Sequence, residues 1–358
     1  MKRVGILTSG GDCQGLNAAI RGVAKGLYAQ FGDDVKIYGI QDGYRGLIEG
    51  DYRLMKPEDF SGILTLGGTI LGTSRQPFKQ ISVIGEDKVD KIKSMQATYA
   101  KLRLDALVIL GGNGTQKTAN LLSEQGLNVL HLPKTIDNDI SGTDVTFGFH
   151  SAVEVATAVI DGIHTTATSH GRDFLIEVMG HKVGWLTLFA GIAGGADVIL
   201  LPEIPYDIDK VAQTLQKRSR EGKRFSILAV AEGAISTEEA AMTKKELKKA
   251  REKQTYPSVV YKLSAELQNR IDNEIRVCVP GHFQRGGAPC AFDRVLCTKL
   301  GAKAASLIAQ GHFGCMVGIV NGQTVPVPLA EAAGRLKSVP VDCDEILAAR
   351  QIGISFGD

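Results

Sequence analysis

Short apolar runs that end in glycine-rich turns recur along this chain, and helical patterns follow them. The run Val4-Gly5-Ile6-Leu7 leads into Thr8-Ser9-Gly10-Gly11-Asp12, and Ala106-Leu107-Val108-Ile109-Leu110 leads into Gly111-Gly112-Asn113-Gly114-Thr115. Helical patterns occupy residues 16–28 and 117–125. An apolar run without alternation suits a strand covered on both faces, the usual state of a parallel sheet. Strand, loop and helix in repetition mean an α/β fold. Further strands are expected at 35–40, 129–132, 174–178, 198–201, 227–231, 275–280 and 316–321. They continue through the whole chain with no Pro/Ser-rich linker, so two intertwined α/β domains are expected.

Charge excludes several partners. The 41 Lys and Arg nearly cancel the 39 Asp and Glu, for a net charge of +2 over 358 residues. That balance gives no footprint for nucleic acid or for an anionic membrane, so any substrate charge must be met by local clusters. The six cysteines lie at 13, 278, 290, 297, 315 and 343 with no C-x-x-C spacing, which argues for free thiols in a reducing compartment. The uncharged stretch 183–196 is too short and too glycine-rich to span a bilayer. The first residues enter a strand pattern without the apolar core of a signal peptide. A cytoplasmic location is expected. The charged run 243–253 reads as a solvated helix face.

Three motifs carry chemistry. The first is the pair of glycine-rich loops after strands. Ligands of open parallel sheets bind at the carboxyl ends of strands, and a glycine loop before a helix N-terminus lets backbone N–H groups approach a phosphate. Neither loop has the Walker A spacing or G-x-G-x-x-G, so a P-loop enzyme and a dinucleotide-dependent dehydrogenase are both disfavoured. The second is Pro133-Lys134-Thr135-Ile136-Asp137-Asn138-Asp139. Its two carboxylates flank an amide and can supply a base and a metal-side acceptor for phosphoryl transfer to an alcohol. The third is Pro280-Gly281-His282-Phe283-Gln284-Arg285-Gly286-Gly287, where a His and an Arg beside glycines can grip a phosphate monoester.

Together these residues resemble the 6-phosphofructokinases of the bacterial type. The resemblance runs in order over nearly the whole chain. It includes Leu7-Thr8-Ser9-Gly10-Gly11-Asp12, Leu16-Asn17-Ala18-Ala19-Ile20-Arg21-Gly22, Gly67-Gly68-Thr69, Gly111-Gly112-Asn113-Gly114, Thr135-Ile136-Asp137-Asn138-Asp139, Glu177-Val178-Met179-Gly180 and Gly281-His282-Phe283-Gln284-Arg285-Gly286-Gly287. It implies two intertwined Rossmann-like three-layer domains with mainly parallel sheets. Residues 1–149 plus 284–334 would form the larger, phosphate-donor domain, and 150–283 plus 335–358 the smaller, sugar-phosphate domain. It implies Mg²⁺-dependent transfer of a phosphoryl group to the 1-hydroxyl of fructose 6-phosphate, and a homotetramer with shared active sites.

The resemblance also implies roles. Asp137 would be the general base, with Thr135, Ile136 and Asp139 beside it. Gly11, Arg75, Gln76, Gly112, Asn113, Gly114 and Thr115 would line the donor phosphates, with Arg75 neutralising the transferring group and Asn113 at the metal. Met179, Gly180, His181 and Glu232 would contact the sugar. Arg172, Arg276, His282 and Arg285 would hold the 6-phosphate, with Arg172 and Arg276 serving a neighbouring subunit.

Several positions depart from the family pattern. Asn113 stands where an acidic residue is usual, and His181 where an Arg is common. The donor is marked by two positions that point apart. Gly114 leaves open the space where a carboxylate would repel the ATP α-phosphate, whereas Lys134 is the residue of pyrophosphate users. Steric exclusion weighs more, so ATP is the expected donor, with pyrophosphate as the alternative and a non-catalytic sugar-phosphate-binding subunit as the further one. The family's effector site is matched only in part, by Arg21, Lys25, Lys223, Arg224 and Asp197, with His164 replacing an Arg. The segment 236–267 has no counterpart in the short bacterial enzymes and is expected to shape the sugar side or a subunit contact.

Overall fold

A computed structural model describes residues 1–84, 89–253 and 255–358, so residue 254 of the 236–267 segment lies outside the described residues. The strands are, in chain order, β1 (Lys2–Ser9), β2 (Val35–Ile40), β3 (Tyr52–Met55), β4 (Ala106–Gly111), β5 (Val129–Pro133), β6 (Asp173–Val178), β7 (Val198–Leu200), β8 (Ile227–Ala231), β9 (Ile275–Cys278), β10 (Cys315–Val320) and β11 (Gln323–Pro328). They fall into a seven-stranded sheet, ordered β11-β10-β5-β4-β1-β2-β3, and a four-stranded sheet, ordered β7-β8-β6-β9. The chain divides into two compact units. One comprises Met1–Ser151 with Arg285–Leu336, and the other Ala152–Gln284 with Lys337–Asp358.

In the first unit the central strands β10, β5, β4, β1 and β2 pair in parallel, and both edge strands are antiparallel. Leu7, Leu107, Ile109 and Val129 bury one face of this sheet, with Tyr44, Met95, Ala119 and Leu122 from the covering helices. The alternate residues Val4, Ile6, Val108, Leu110, Leu130 and Leu132 are fully or almost fully buried as well. Successive strand residues point to opposite faces, so both faces are covered. The expected strands therefore appear where apolar runs stand. The structure adds β3 and β11, which no apolar run announces: their residues are mostly half-buried or exposed. An edge strand pairs on one side only and tolerates Pro326 and Pro328, which a central strand would not.

The second unit is built on a sheet whose strands all pair in parallel. Leu175, Val198, Leu200, Leu228 and Val230 form its core with Tyr206, Val211 and Leu215 and with Val260, Leu263 and Leu267. Val211 and Leu215 come from the helix Ile208–Arg220, which Tyr206 precedes, and the last three from the helix Val259–Gln268. On the other face, the helix Trp185–Ala193 comes so close that a Cβ at Gly191 would lie 2.8 Å from Ile199. Strand β9 ends at Cys278, two residues short of expectation, ahead of Pro280. No helix among the described residues is long and apolar enough to cross a membrane.

Close helix packing explains one glycine group. The helix Leu16–Phe31 lies against the helix Ala291–Gln310, and a Cβ on Gly301 would sit 2.4 Å from the Val23 amide nitrogen and 2.5 Å from the Gly22 carbonyl carbon. Neither contact is with a flexible side chain, so the two helices would have to separate. Gly301→Ala should destabilise the protein by roughly 1–3 kcal/mol. Gly162→Ala, on an exposed helical position where a Cβ meets nothing within 4 Å, should be neutral or stabilising by up to about 1 kcal/mol. Thermal melts of the two variants should therefore shift in opposite directions, or only that of Gly301→Ala should fall. Equal shifts would contradict this packing.

Candidate active site

Three loops meet at one sheet edge of the first unit because β1, β4 and β5 are neighbours in register. Ser9 pairs with Gly111, and Gly111 with Pro133. The strands end level, so the segments that follow them emerge side by side: Gly10–Asp12, Gly112–Thr115 and Lys134–Asp139. Short contacts lock them. The Lys134 amide donates to the Gly111 carbonyl at 3.0 Å, and Thr115 Oγ1 donates to the Ser9 carbonyl at 3.3 Å. Gly112 precedes the helix Asn113–Glu124, so the second loop leads directly into a helix N-terminus with its unspent N–H groups. That helix begins four residues earlier than the apolar pattern indicated. Gly114 is exposed, and a Cβ there would meet nothing within 4 Å.

A fourth segment joins them. Thr73 Oγ1 donates to the Gly10 carbonyl at 2.7 Å, the Gly10 amide donates to the Ser74 carbonyl at 3.1 Å, and Thr8 Oγ1 donates to the Gly72 carbonyl at 2.7 Å. These bonds carry the exposed Arg75 and the half-buried Gln76 to the first glycine loop.

Two cations hold that loop from behind. Lys134 is only 3% exposed and its ammonium donates to the Gly11 carbonyl. Burial pulls its pKa down. Arg285 donates to the Asp12 carbonyl at 3.1 Å, and a Cβ at Gly11 would come within 3.0 Å of its guanidinium. Arg285 thus lies against the first glycine loop, a placement that its motif did not suggest. Cys13, next in the loop, is fully buried, which pushes its thiol up to about 12. It stays protonated and unreactive at neutral pH.

The third loop is ordered by its own side chains. The Asp137 amide donates to Thr135 Oγ1 at 3.0 Å, and Thr146 Oγ1 donates to the Thr135 carbonyl at 2.7 Å. Asn138 adopts a left-handed conformation at φ 53° and its Oδ1 accepts from the Thr146 amide at 3.1 Å. Ile136 is wholly buried, while Asp137 keeps partial exposure. Asn113 Nδ2 bridges the second and third loops, donating to both the carbonyl and the carboxylate of Asp139 at 3.2 Å. Asn113 Oδ1 is buried and accepts no hydrogen bond among the described residues.

In the second unit, the ends of β6 and β8 bring Met179, Gly180, His181 and Glu232 together. Glu232 Oε1 accepts from the Gly180 amide at 3.2 Å and the His181 amide at 2.6 Å. These bonds hold His181 at φ 53°. Gln284, wholly buried, accepts from the Met179 amide at 3.2 Å and donates to the Gly281 carbonyl at 3.1 Å, which fixes the short helical turn that presents His282. A cavity of about 240 Å³ adjoins Glu232, lined also by Tyr256, Ser258 and Lys262 from the 236–267 segment. Lys262 pairs there with Glu239 at 3.1 Å.

Arg172 and Arg276 lie elsewhere. Arg172 precedes β6 and Met179 follows it, so about seven strand steps of ~3.3 Å, roughly 20 Å, separate them. Arg276 is the second residue of β9, beside Phe174 near the same starting edge. Both guanidiniums pair with Glu274, Arg172 Nε at 2.5 Å. Among the effector-like residues, Asp197 accepts from Arg218 at 2.8 Å and from the Ile227 amide at 2.9 Å, and His164 Nε2 meets the Gly194 carbonyl at 2.7 Å. Arg21 and Lys25 belong to the other unit.

The comparisons with known proteins agree on one family. The Phosphofructokinase family pattern matches residues 3–308. The chain is 56% identical to an ATP-dependent 6-phosphofructokinase of Spirochaeta thermophila, over 99% of this chain and 97% of the relative. It is 47% identical to an ATP-dependent 6-phosphofructokinase of Propionibacterium freudenreichii, over 99% of both. The crystal structure of Pichia pastoris phosphofructokinase in the T-state superposes with a TM-score of 0.78 at 32% identity, covering 93% of this chain but only 35% of that much longer one. A family pattern over most of the length, relatives matched end to end and a shared fold leave one assignment: the chain belongs to the phosphofructokinase family.

Proposed function

We propose that this protein is a glycolytic, cytoplasmic ATP-dependent 6-phosphofructokinase, which transfers the terminal phosphoryl group of ATP to the 1-hydroxyl of fructose 6-phosphate. The observation that carries the reading is the convergence of the loops after β1, β4 and β5, which gathers a phosphate-binding helix N-terminus, two glycine loops and the Asp137 carboxylate at one edge. The two relatives at 56% and 47% identity, both ATP-dependent 6-phosphofructokinases, support the same activity and the same donor.

The residues divide the work as follows. Backbone N–H groups of Gly11 and of Gly112, Asn113, Gly114 and Thr115 receive the donor phosphates. Arg75 and Gln76 close over them from the segment tied to Gly10, and Arg75 meets the charge that spreads over the transferring group. Asp137 accepts the proton of the sugar 1-hydroxyl as its oxygen bonds to phosphorus and the bond to the leaving diphosphate breaks. Thr135, bonded to the Asp137 amide, fixes the turn, and Asp139 orients Asn113. Lys134 donates to the Gly11 carbonyl and adds positive potential beside the first loop, an accessory charge compatible with ATP. In the second unit Met179, Gly180, His181 and Glu232 receive the sugar, and Arg172, Arg276 and His282 its 6-phosphate; Ile136 and Arg285 belong to the first unit, where Arg285 holds the Asp12 carbonyl.

The family implies Mg²⁺, and the residues fit it. Asn113 Oδ1 is a buried oxygen without a partner among the described residues, the type of ligand that this hard cation takes. Asn113 would hold the ion with the donor phosphates and water, and Mg²⁺ when bound would neutralise phosphate charge. The roughly 20 Å between Arg172 and Met179 means that one chain cannot bring both to a single sugar phosphate, which supports a homo-oligomer with shared active sites, a homotetramer by the family resemblance.

Initial rates of fructose 1,6-bisphosphate formation with each donor test the reading directly: turnover is expected with ATP, and turnover with pyrophosphate alone would overturn the donor assignment. Asp137→Ser should lower kcat by about 10²–10⁴-fold with fructose 6-phosphate binding nearly intact, as expected for loss of a general base. Lost binding with unchanged turnover would refute that role. Gly114→Asp, which the open space around residue 114 accommodates, should damage ATP use far more than pyrophosphate use. Equal loss with both would refute steric control at this position.

A further inference from the structure

Glu274 carries no role in the reading above, yet it is the residue on which the two outlying arginines converge. It directly precedes β9, and its carbonyl accepts from the Asp173 amide at 3.0 Å, which fixes its backbone at the starting edge of the β6–β9 pair. Its two carboxylate oxygens are divided between two cations. Oε2 accepts from Arg172 Nε at 2.5 Å, and Oε1 pairs with the Arg276 guanidinium. Among the described residues neither arginine has another ion pair. The side chains remain 31%, 45% and 50% exposed for Arg172, Glu274 and Arg276, so the triad faces solvent.

A carboxylate shared by two guanidiniums occupies the place that a phosphate monoester takes between two arginines, since both anions accept charge-assisted hydrogen bonds from the planar forks. Solvent-exposed pairs of this kind are held by only about 0–1 kcal/mol each, so a phosphate dianion can displace the carboxylate. We infer that Glu274 is a built-in competitor for the phosphate-binding arginines Arg172 and Arg276: it keeps the two guanidiniums aligned and neutralised, and the 6-phosphate of the acceptor must displace it. Glu274 is a positioning residue that acts through the arginines and touches no reacting atom, so its effect falls on acceptor affinity and not on the chemical step. This rests on the proposed function for the acceptor and for the phosphate-binding role of Arg172 and Arg276, and on geometry for the carboxylate that they share.

The test uses the full-length enzyme and the variants Glu274→Gln and Glu274→Asp. Removing one like charge at contact distance in an exposed site should lower the KM for fructose 6-phosphate about threefold or more, with kcat within about twofold of the parent. Glu274→Asp should keep the parental KM. Inorganic phosphate is the second probe: it should raise the melting temperature of Glu274→Gln at several-fold lower concentration than it does that of the parent. An unchanged or higher KM together with an unchanged phosphate midpoint would overturn the inference. Absence of fructose 6-phosphate turnover in the parent, with the phosphate shift intact, would overturn the proposed activity and leave the anion site standing.

Discussion

The parallel, in-register pairing of β1, β4 and β5 is the constraint on which the first unit's loop arrangement depends. Because Ser9, Gly111 and Pro133 sit side by side, three separate stretches of sequence leave the sheet at one level. A one-residue slip would invert every side chain of the slipped strand, turning buried Leu107 or Val129 to the opposite face. The apolar cores on both faces therefore fix the register, and the register fixes the loops. The site is set by packing well before any polar group contributes.

Polar groups then refine what packing delivers. The Gly11 and Asp12 carbonyls of the first loop are met by Lys134 and Arg285, which reach it from distant parts of the sequence. Two buried or half-buried cations against a backbone loop also give that loop positive potential. Burial also lowers the pKa of His131, to about 3, so this histidine in β5 stays neutral and adds no charge beside Lys134. In the second unit Glu232 does comparable work. By accepting from two consecutive amides it holds His181 in a left-handed conformation that a non-glycine residue seldom adopts unaided.

How much of this could be read from the sequence follows from the range of each interaction. The buried strands and the glycine loops were legible because their signals are local and apolar. Strands β3 and β11 were not, because an edge strand needs no apolar run and is specified by its neighbour's free hydrogen-bonding groups. The motif with Gln284 and Arg285 was visible, but the contacts of these residues were not: Gln284 supports Met179 across 105 positions and Arg285 meets Asp12 across 273. Glu274 gave no signal at all. It stands beside Arg276 in a polar stretch, and only the pairing of β6 with β9 brings Arg172 to its other oxygen.

Asn113 gains a physical account from the same contacts. A carboxylate in its place would face the Asp139 carboxylate across the 3.2 Å that now spans a hydrogen bond, and two like charges at that distance repel strongly unless a proton or a cation lies between them. The amide removes the conflict: its nitrogen donates to Asp139, and its oxygen is left as the acceptor aimed elsewhere. The loops after β4 and β5 are thus joined without any ligand, where a pair of carboxylates would depend on a bound cation to hold them. The amide carries one negative charge fewer than a carboxylate would, and its hydrogen bonds alone organise the two loops.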